Sequence, residues 1–502
     1  MTEIFGPVIV GYSLALCVVA AFIVNTFLAY NRLKHIKGPW LASLSRLWLV
    51  KSTIRRSIYS DLADICKKYG PLARIAPNDL VTNDPEIIRR MGAARSPYSK
   101  SQWYAATAIS HQIDHIFSET NERRHTERRA MMVAGYSGRD LPYLEECVDN
   151  RLGDFFKLIE DKYTSAGSTL RPVDFAQKAQ YFGIDVITDI ACGEPFGFLP
   201  HDADVHGYIA TQLELIPIFE WFATLPILSR IVRIPFISKA VMPTPQDKTG
   251  VGRLMGVAKR TVSKRFGPEK ITAKDMIGSW IQHGLPQEQV EIESVLQVIA
   301  GADSTVTALR AITMFIITHP AVYSTLQAEL DQASISESII RESELKALPY
   351  LQACIKEGLR VHPPVTALAT KTVTNGGDTL RGQFIPGGTN IVYAAWDFYK
   401  DPEVFGEDAP IFRPERWLEA TSDRLSRMQQ TLDLIFGYGR YGCLGKPVAL
   451  LEINKFIAEI FRRYDIVLTD PLNPWKSYNR NGFFFQSEMW VRMSERERKA
   501  QH

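Results

Sequence analysis

The sequence of 502 residues predicts a mainly α-helical globule with small β-sheets, preceded by one N-terminal transmembrane helix. Three features carry this reading: helix-period patterns dominate, strand-like runs are short and few, and an early charge-free stretch is long enough to span a bilayer. No repeat, low-complexity tract or long linker divides the rest. The expected organisation is an anchor over residues 1–31 and a single globule over 32–502.

The anchor is read first. From Ile4 to Asn31 there is no Asp, Glu, Lys or Arg, and Val8 to Tyr30 suffices to cross the ~30 Å hydrocarbon layer as a helix. Only Glu3 precedes this run, while Arg32, Lys34 and Lys37 follow it. That is the reverse of a cleaved signal peptide, and the positive-inside bias leaves the globule in the cytosol. A buried core helix is the alternative. Lys37-Gly38-Pro39-Trp40 reads as a stiff joint, because Pro39 cannot continue the helix. A second apolar region, Leu213 to Met242, is broken by Glu214, Glu220, Pro217, Pro226 and Pro235. It suits helices that dip an aromatic and basic edge (Trp221, Phe222, Phe236, Arg230, Arg233, Lys239) into headgroups, or plain core helices.

The patterns predict helices over Ser60–Tyr69, Asn121–Met132, Pro142–Tyr163, Asp174–Ala191, Pro286–Thr318, Pro320–Gln332, Tyr350–Val361 and Pro447–Tyr464. Strands are expected over Ala73–Ile75, Asn390–Ala394 and Ile466–Thr469. The Pro286–Thr318 pattern would make a helix of about 50 Å, enough to traverse the globule. Between Glu293 and Arg310 its only charge is Asp303, set in Ala300-Gly301-Ala302-Asp303-Ser304-Thr305. A glycine there costs about 1 kcal/mol relative to Ala, so something approaches the backbone at Gly301, either a ligand or a second helix.

Composition narrows the function. With 58 Lys+Arg against 55 Asp+Glu and a net charge of +3, nothing points to nucleic acid. The 6 cysteines (Cys17, Cys66, Cys147, Cys192, Cys354, Cys443) lie far apart without a CxxC, which excludes a disulfide scaffold and a zinc ribbon. His111 and His115 stand at helical spacing, but lack the Glu of HExxH and a third ligand.

One cysteine has unusual neighbours: Phe436-Gly437-Tyr438-Gly439-Arg440-Tyr441-Gly442-Cys443-Leu444-Gly445. The glycines let the backbone turn sharply and lie close to a flat ligand, with amides free to point at the sulfur. A helix starting at Pro447 puts Cys443 near its positive end, which lowers a thiol pKa and makes a good ligand for a redox metal. Gly437, Gly439 and Gly442 also spell GxGxxG after a strand-like Leu432–Phe436, but the chain shows no βαβ series and no acid at the ribose-binding distance. Upstream, Glu357 and Arg360 share one helical face, and Arg416 follows in Phe412-Arg413-Pro414-Glu415-Arg416-Trp417.

These signals, in this order, resemble the cytochrome P450 family across nearly the whole chain after the anchor. The stretches Phe405-Gly-Glu-Asp-Ala and Asp185–Phe198 are similar to fungal microsomal members of the pisatin demethylase type. The resemblance implies that Cys443 is the axial thiolate of a haem b iron, shielded by Phe436, with Gly439, Arg440 and Gly445 completing the cofactor loop. It implies that His125 and Arg129 meet the haem propionates; a solvated basic face with Arg123, Arg124 and Arg128 is the other reading of that helix. Those three arginines with Lys446 would dock an acidic electron donor. Glu357, Arg360 and Arg416 would form a structural charge triad.

By the same resemblance Asp303 and Ser304, with Thr305 beside them, relay protons during dioxygen activation. Two positions depart from the family pattern. Ser304 stands where threonine is usual, keeping the hydroxyl without the methyl that fixes its rotamer. Tyr441 stands where a propionate-binding arginine is usual, so either Arg440 reaches round or Tyr441 donates its phenol. The implied activity is a monooxygenase of the endoplasmic reticulum membrane acting on a hydrophobic small molecule in fungal secondary metabolism (terpenoid, polyketide or alkaloid). It would use O2 and NADPH-cytochrome P450 reductase, with cytochrome b5 as an optional second donor. Pocket segments by resemblance are Tyr98–Phe117, Leu213–Phe222, Ala300, Val365–Ala369 and Phe483–Phe485. The alternatives are a haem-thiolate isomerase or dehydratase that needs no O2, and a non-catalytic haem-binding protein.

Overall fold

The long pattern forms one helix, Gln287–Ile317, at the centre of the protein. The structure is a computed structural model that describes residues 13–497 except 14–15, 18–19, 22, 111, 268–272, 334–337, 367–368 and 481. Around the long helix pack Phe175–Cys192, Gly250–Phe266, Pro349–Val361 and Lys446–Arg463. Every helix expected from periodicity is present, with ends shifted by a few residues, such as Glu122–Tyr136 and Leu144–Lys162. Side-chain caps explain several starts: Asn121 accepts from the Arg124 amide and Asp174 from the Ala176 amide, each satisfying an orphan donor. Asp185 accepts the amides of Gly197, Phe198 and Leu199, which ties the turn after the Phe175–Cys192 helix back onto it.

Gly301 answers to a helix crossing. A Cβ there would lie 2.8 Å from Ile187 Cγ1, and a Cβ on Gly183 would overlap Val306 Cγ2. The long helix and Phe175–Cys192 thus notch into each other, small residue against branched residue in both directions. Close approach of the two backbones is the reason for a glycine in mid-helix.

The main sheet has five strands in the order Leu72–Ala76, Asp79–Thr82, Asn390–Tyr393, Lys371–Thr372 and Ser99–Lys100. Asp79–Thr82 runs parallel to Asn390–Tyr393, and Ser99–Lys100 antiparallel to Lys371–Thr372 with Lys100 directly opposite Lys371. A hairpin of Lys476–Arg480 and Phe483–Ser487 reaches the long helix, where Thr307 Oγ1 donates to the Phe484 carbonyl at 3.0 Å. Tyr464–Leu468, Trp490–Glu495 and Val173–Asp174 form a third sheet.

One element differs in kind from expectation. Leu432–Phe436, read as strand-like, is the end of the helix Ser422–Leu432 followed by a 3₁₀ turn, Asp433–Phe436. Its apolar run packs as helix because Leu434 is buried while Asp433 stays at the surface. No strand precedes the glycines, so the dinucleotide reading fails.

Behind the cysteine loop, Glu357, Arg360 and Arg416 are buried together. Arg360 donates to both Glu357 oxygens (2.7 and 2.9 Å), Arg416 Nε to Oε1 (2.8 Å) and Trp417 Nε1 to Oε2 (2.9 Å). Arg360 also donates to the carbonyls of Tyr399, Ala409 and Ile411, and Arg416 to Asp408, whose carboxyl Arg416 and Arg413 hold down at about 2. With every donor engaged, the group ties three segments of irregular chain to one helix.

The expected membrane span lies largely outside the described residues. Its later part, 23–32, is helical, and Ile23, Val24, Phe27 and Leu28 are exposed. Among the described residues, the helix long and apolar enough to cross a membrane is Gln287–Ile317, which is the core helix.

The crossing predicts a specific rescue. Gly183→Ala is expected to destabilise by about 1–3 kcal/mol through overpacking, and Val306→Ala in the same chain to recover most of it. Denaturant unfolding measures both, and an unchanged midpoint in the single variant would show that the contact is loose.

Candidate functional site

The Cys443 loop is closed by its own backbone. The Cys443 amide donates to the Phe436 carbonyl at 2.6 Å and the Gly442 amide to Gly439 at 3.0 Å. Gly437 has φ +74° and Gly439 φ +57°, and a Cβ on Gly439 would overlap the carbonyl of Gly92. Gly439 is therefore demanded by its neighbour's backbone, while Gly445, whose Cβ would sit 3.8 Å from the sulfur, is the glycine at the thiol itself. The helix Lys446–Arg463 starts immediately afterwards, and the amides of Gly445 and Lys446 point at Cys443 Sγ.

The thiol does not behave as the helix start alone implies. Burial pushes it above its ordinary value and outweighs the lowering by those two amides and by the charges of Arg129 and Lys446. Sequence shows the amides and the helix, but not the mass of protein around the sulfur. A cation at the sulfur reverses that balance, since a metal favours the thiolate outright.

The Glu122–Tyr136 helix bridges the cysteine loop and the long helix. The His125 ring lies 5.6 Å from the Tyr441 ring, tilted by 48°, and Arg129 Nη2 lies near Gly442. On the other side Arg128 reaches Glu293 at 3.7 Å. Ala300, at the middle of the long helix, and Cys443 are both accessible although their surroundings are packed, marking an interior space between helix and loop.

Into this region converge cations without enough acid to match them. Lys100 and Lys371 are buried, directly opposed across the sheet, and both face Tyr441, with Lys371 Nζ 3.4 Å from its ring centroid. Burial pushes Lys100 down to about 7 and Lys371 well below its ordinary value. His125 is pushed down to about 3 by burial and then by Lys100, Arg129, Lys371 and Arg128, and its Nδ1 has no partner among the described residues. Like charges directly opposite in a sheet destabilise it. An arrangement of this kind calls for anions, and the two carboxylates of a haem meet that demand.

Both residues raised in place of the missing arginine are engaged with protein, while Arg440 Nε is buried without a partner among the described residues. Arg440 Nη2 donates to the carbonyls of Ser96 and Tyr98, and the Tyr441 phenol donates to Glu122 Oε1 at 2.6 Å and lies 3.3 Å from the Tyr98 carbonyl. Lys371 and Lys100 are further basic groups at this place, each over the Tyr441 ring. Sequence reasoning missed them because two lysines 271 positions apart become neighbours only through strand register.

On the long helix, Asp303 and Ser304 diverge. The Ser304 hydroxyl donates to the Ala300 carbonyl at 2.8 Å. Asp303 accepts from Gln180 Nε2 at 2.6 Å, beside Tyr208 and Arg310, and burial pushes its carboxyl up to about 6. Arg310 Nη2 in turn donates to Gln180 Oε1 at 2.8 Å. Thr305 is buried, about 100° further round the helix than Ser304. Gln180, Tyr208 and Arg310 carry no sequence signal, since they come from three elements.

Several other expectations are settled by contact. Arg128, expected on a docking face, is turned inward onto Glu119, Glu293 and the Asp114 carbonyl; Arg123 stays exposed. Lys446 pairs with Asp433 at 2.9 Å. His111 lies outside the described residues, and both ring nitrogens of His115 are used by Thr107 and Ser118, so His115 holds a loop. No group of metal-ligating side chains stands among the described residues apart from the lone thiol. The pocket segments do converge: Val365 bridges to Phe483, the Ile116 amide donates to Glu293, and Glu220 pairs with Arg480 at 3.1 Å. Residues 367–368 lie outside the described residues.

A thiol presented by helix amides, backed by a buried arginine–carboxylate group and faced by unmatched cations, defines a haem-thiolate protein. The chain belongs to the cytochrome P450 family, whose model, Cytochrome P450, matches residues 37–489; it is of the monooxygenase class. It is 40% identical over 478 residues to cytochrome P450 monooxygenase ABA1 of Pyricularia oryzae, covering 93% of each chain. It is 38% identical over 473 residues to aba1 of Botryotinia fuckeliana, covering 93% of this chain and 92% of that one. With gsfF of Penicillium aethiopicum the identity is 30% over 507 residues, 96% and 97% of the two chains.

The lysine pair has a measurable role. Lys100→Met with Lys371→Met is expected to speed haem transfer to apomyoglobin at least tenfold, since charge-assisted bonds contribute about 1.5–3 kcal/mol. The haem-free variant should melt no lower than the haem-free parent, because the opposed charges are gone. Unchanged haem transfer would remove the assignment.

Proposed function

We propose that the protein is a membrane-anchored haem b monooxygenase that oxidises a hydrophobic small molecule in fungal secondary metabolism, a terpenoid, polyketide or alkaloid. The observation that carries the reading is Cys443 Sγ, held by the Gly445 and Lys446 amides and left accessible although the protein around it is packed. Haem iron with a thiolate ligand supplies dioxygen activation when bound. Cys443 would be the axial ligand, with His125, Arg129, Lys100 and Lys371 holding the carboxylates.

The remaining residues do proton and substrate work. Ser304 keeps its hydroxyl beside the space by anchoring it on Ala300 O, and so positions water. Asp303 is a proton store: a carboxyl near 6 gives and takes protons at cytosolic pH. Gln180 holds the Asp303 carboxyl while the Ser304 hydroxyl is bonded to Ala300, so delivery requires the acid to swing or a water to intervene. An aromatic cluster of Trp103, Tyr104 and Phe117, drawn from an expected pocket segment, suits a hydrophobic substrate. Retention of the Ser304 hydroxyl in this place favours O2 chemistry over an isomerase or dehydratase, and the exposed Arg123 suits an acidic donor such as NADPH-cytochrome P450 reductase or cytochrome b5.

An exposed apolar edge supports the endoplasmic reticulum reading, single-pass with the globule in the cytosol. Trp40 is 75% exposed, and Leu47, Ile54, Ile227 and Phe236 are exposed as well. The segments that carry them are joined: Arg46 Nε donates to the Thr224 carbonyl at 2.7 Å, and Thr53 bonds Thr224 at 2.8 Å.

Two measurements test the reading. Cys443→Ser is expected to abolish the red-shifted Soret band of the reduced carbon monoxide complex; its persistence would refute the ligand. Ser304→Ala and Gln180→Leu are expected to lower product formed per NADPH, by about tenfold or more for the serine, with peroxide released instead. Fully coupled turnover in both would refute the proton route.

A further inference from the structure

The joint between anchor and globule contains a cavity of about 470 Å³ lined by Tyr30, Lys34, Ile36, Lys37, Gly38, Trp40, Ser43, Leu44 and Arg74. Three of these are cations and none is an acid. Arg74 is fully buried and donates only to carbonyls: Ala29 at 2.8 Å, Tyr30 at 3.3 Å, Ala76 at 3.3 Å and Pro77 at 2.6 Å. Its charge has no carboxylate among the described residues, and burial lowers its pKa. Lys34 and Lys37 are exposed at the rim. The joint is rigid, because the Arg74 amide donates to the Lys37 carbonyl at 2.8 Å and a Cβ on Gly38 would overlap the Arg74 carbonyl.

Position identifies the ligand class. The cavity opens where the apolar helix ends and beside the exposed rings and chains of Trp40 and Leu44. That is the depth of lipid headgroups for an anchored chain, where aromatic side chains favour the interface. Arg74 also donates to the last carbonyls of the anchor helix, whose negative end keeps the buried guanidinium charged and fixed at the floor of the cavity.

We propose that this cavity binds the phosphate of an anionic phospholipid headgroup, with Lys34 and Lys37 contacting it and Arg74 holding the field beneath. The inference rests on the membrane-anchored reading. It adds to that reading a defined lipid site that fixes how the globule is set on the bilayer.

The test uses full-length haem-loaded protein in nanodiscs of phosphatidylcholine alone or with phosphatidylserine, followed by native mass spectrometry of retained lipid. Each interfacial lysine is worth about fivefold in anionic lipid affinity, so the parent is expected to retain phosphatidylserine at least tenfold over phosphatidylcholine. Lys34→Gln with Lys37→Gln is expected to abolish that preference while leaving the carbon monoxide spectrum unchanged. Arg230→Gln with Lys239→Gln, basic residues away from the cavity, is expected to keep it. Equal loss in both pairs would reduce the effect to general surface charge and overturn the site, as would an undiminished preference in the first pair. Displacement of phosphatidylserine by millimolar glycerol phosphate would show a free-phosphate site and overturn the lipid assignment. Alkaline carbonate extraction separates the two readings: release of the parent protein refutes the anchor, whereas retention without lipid preference refutes only the cavity.

Discussion

The protein is organised around the closed loop that presents Cys443 Sγ at the start of a helix, in surroundings packed with protein. Burial alone keeps the Cys443 proton on. Against this the fold sets two amides at a helix start, the Arg129 charge and a loop closed so tightly that the thiol cannot turn away. On the proposed reading a metal cation at the sulfur would make up the remaining deficit, so that cofactor binding and thiolate formation would be a single event. The Glu357 group does not touch the sulfur. Its part is to hold the irregular chain from Tyr399 to Trp417 against the Pro349–Val361 helix, upstream of the loop.

The same economy governs the other side of the cofactor space. A sheet that opposes Lys100 to Lys371 in a buried position holds them both as cations only at a cost, since burial lowers both pKa values. The conflict makes sense when the strands are built to receive anions, and it explains how a chain with Tyr441 in place of an arginine keeps its positive charge. Tyr441 and Arg440 are used instead to fasten the loop to Glu122 and to the Ser96–Tyr98 backbone. On the proposed reading, the carboxylate-holding role would pass to lysines of another element.

Proton supply shows a division of labour between adjacent residues. Ser304 faces the reaction space, while Asp303, one step round the helix, is buried against Gln180, Tyr208 and Arg310. Because the two helices notch at Gly301 and Gly183, Gln180 is brought within hydrogen-bond distance of the acid. Helix packing therefore decides where the proton waits.

Periodicity, a cysteine among glycines, and the order of four motifs made the helices, the family and the metal-binding thiol legible in the sequence, because each is local: a repeat of 3.6 residues, a turn, a helix start. Gly301 was legible as a point of close approach, but only packing shows that the approaching group is Ile187. The apolar run Leu432–Phe436 misled, since a short apolar segment suits a strand or a helical turn equally well. Lys100 with Lys371, and Asp303 with Gln180, Tyr208 and Arg310, were decided by tertiary structure alone. Their meaning comes from burial and from distances between residues far apart in the chain. A charge that is harmless in water becomes a binding site, or a proton store, once the fold has removed the water around it.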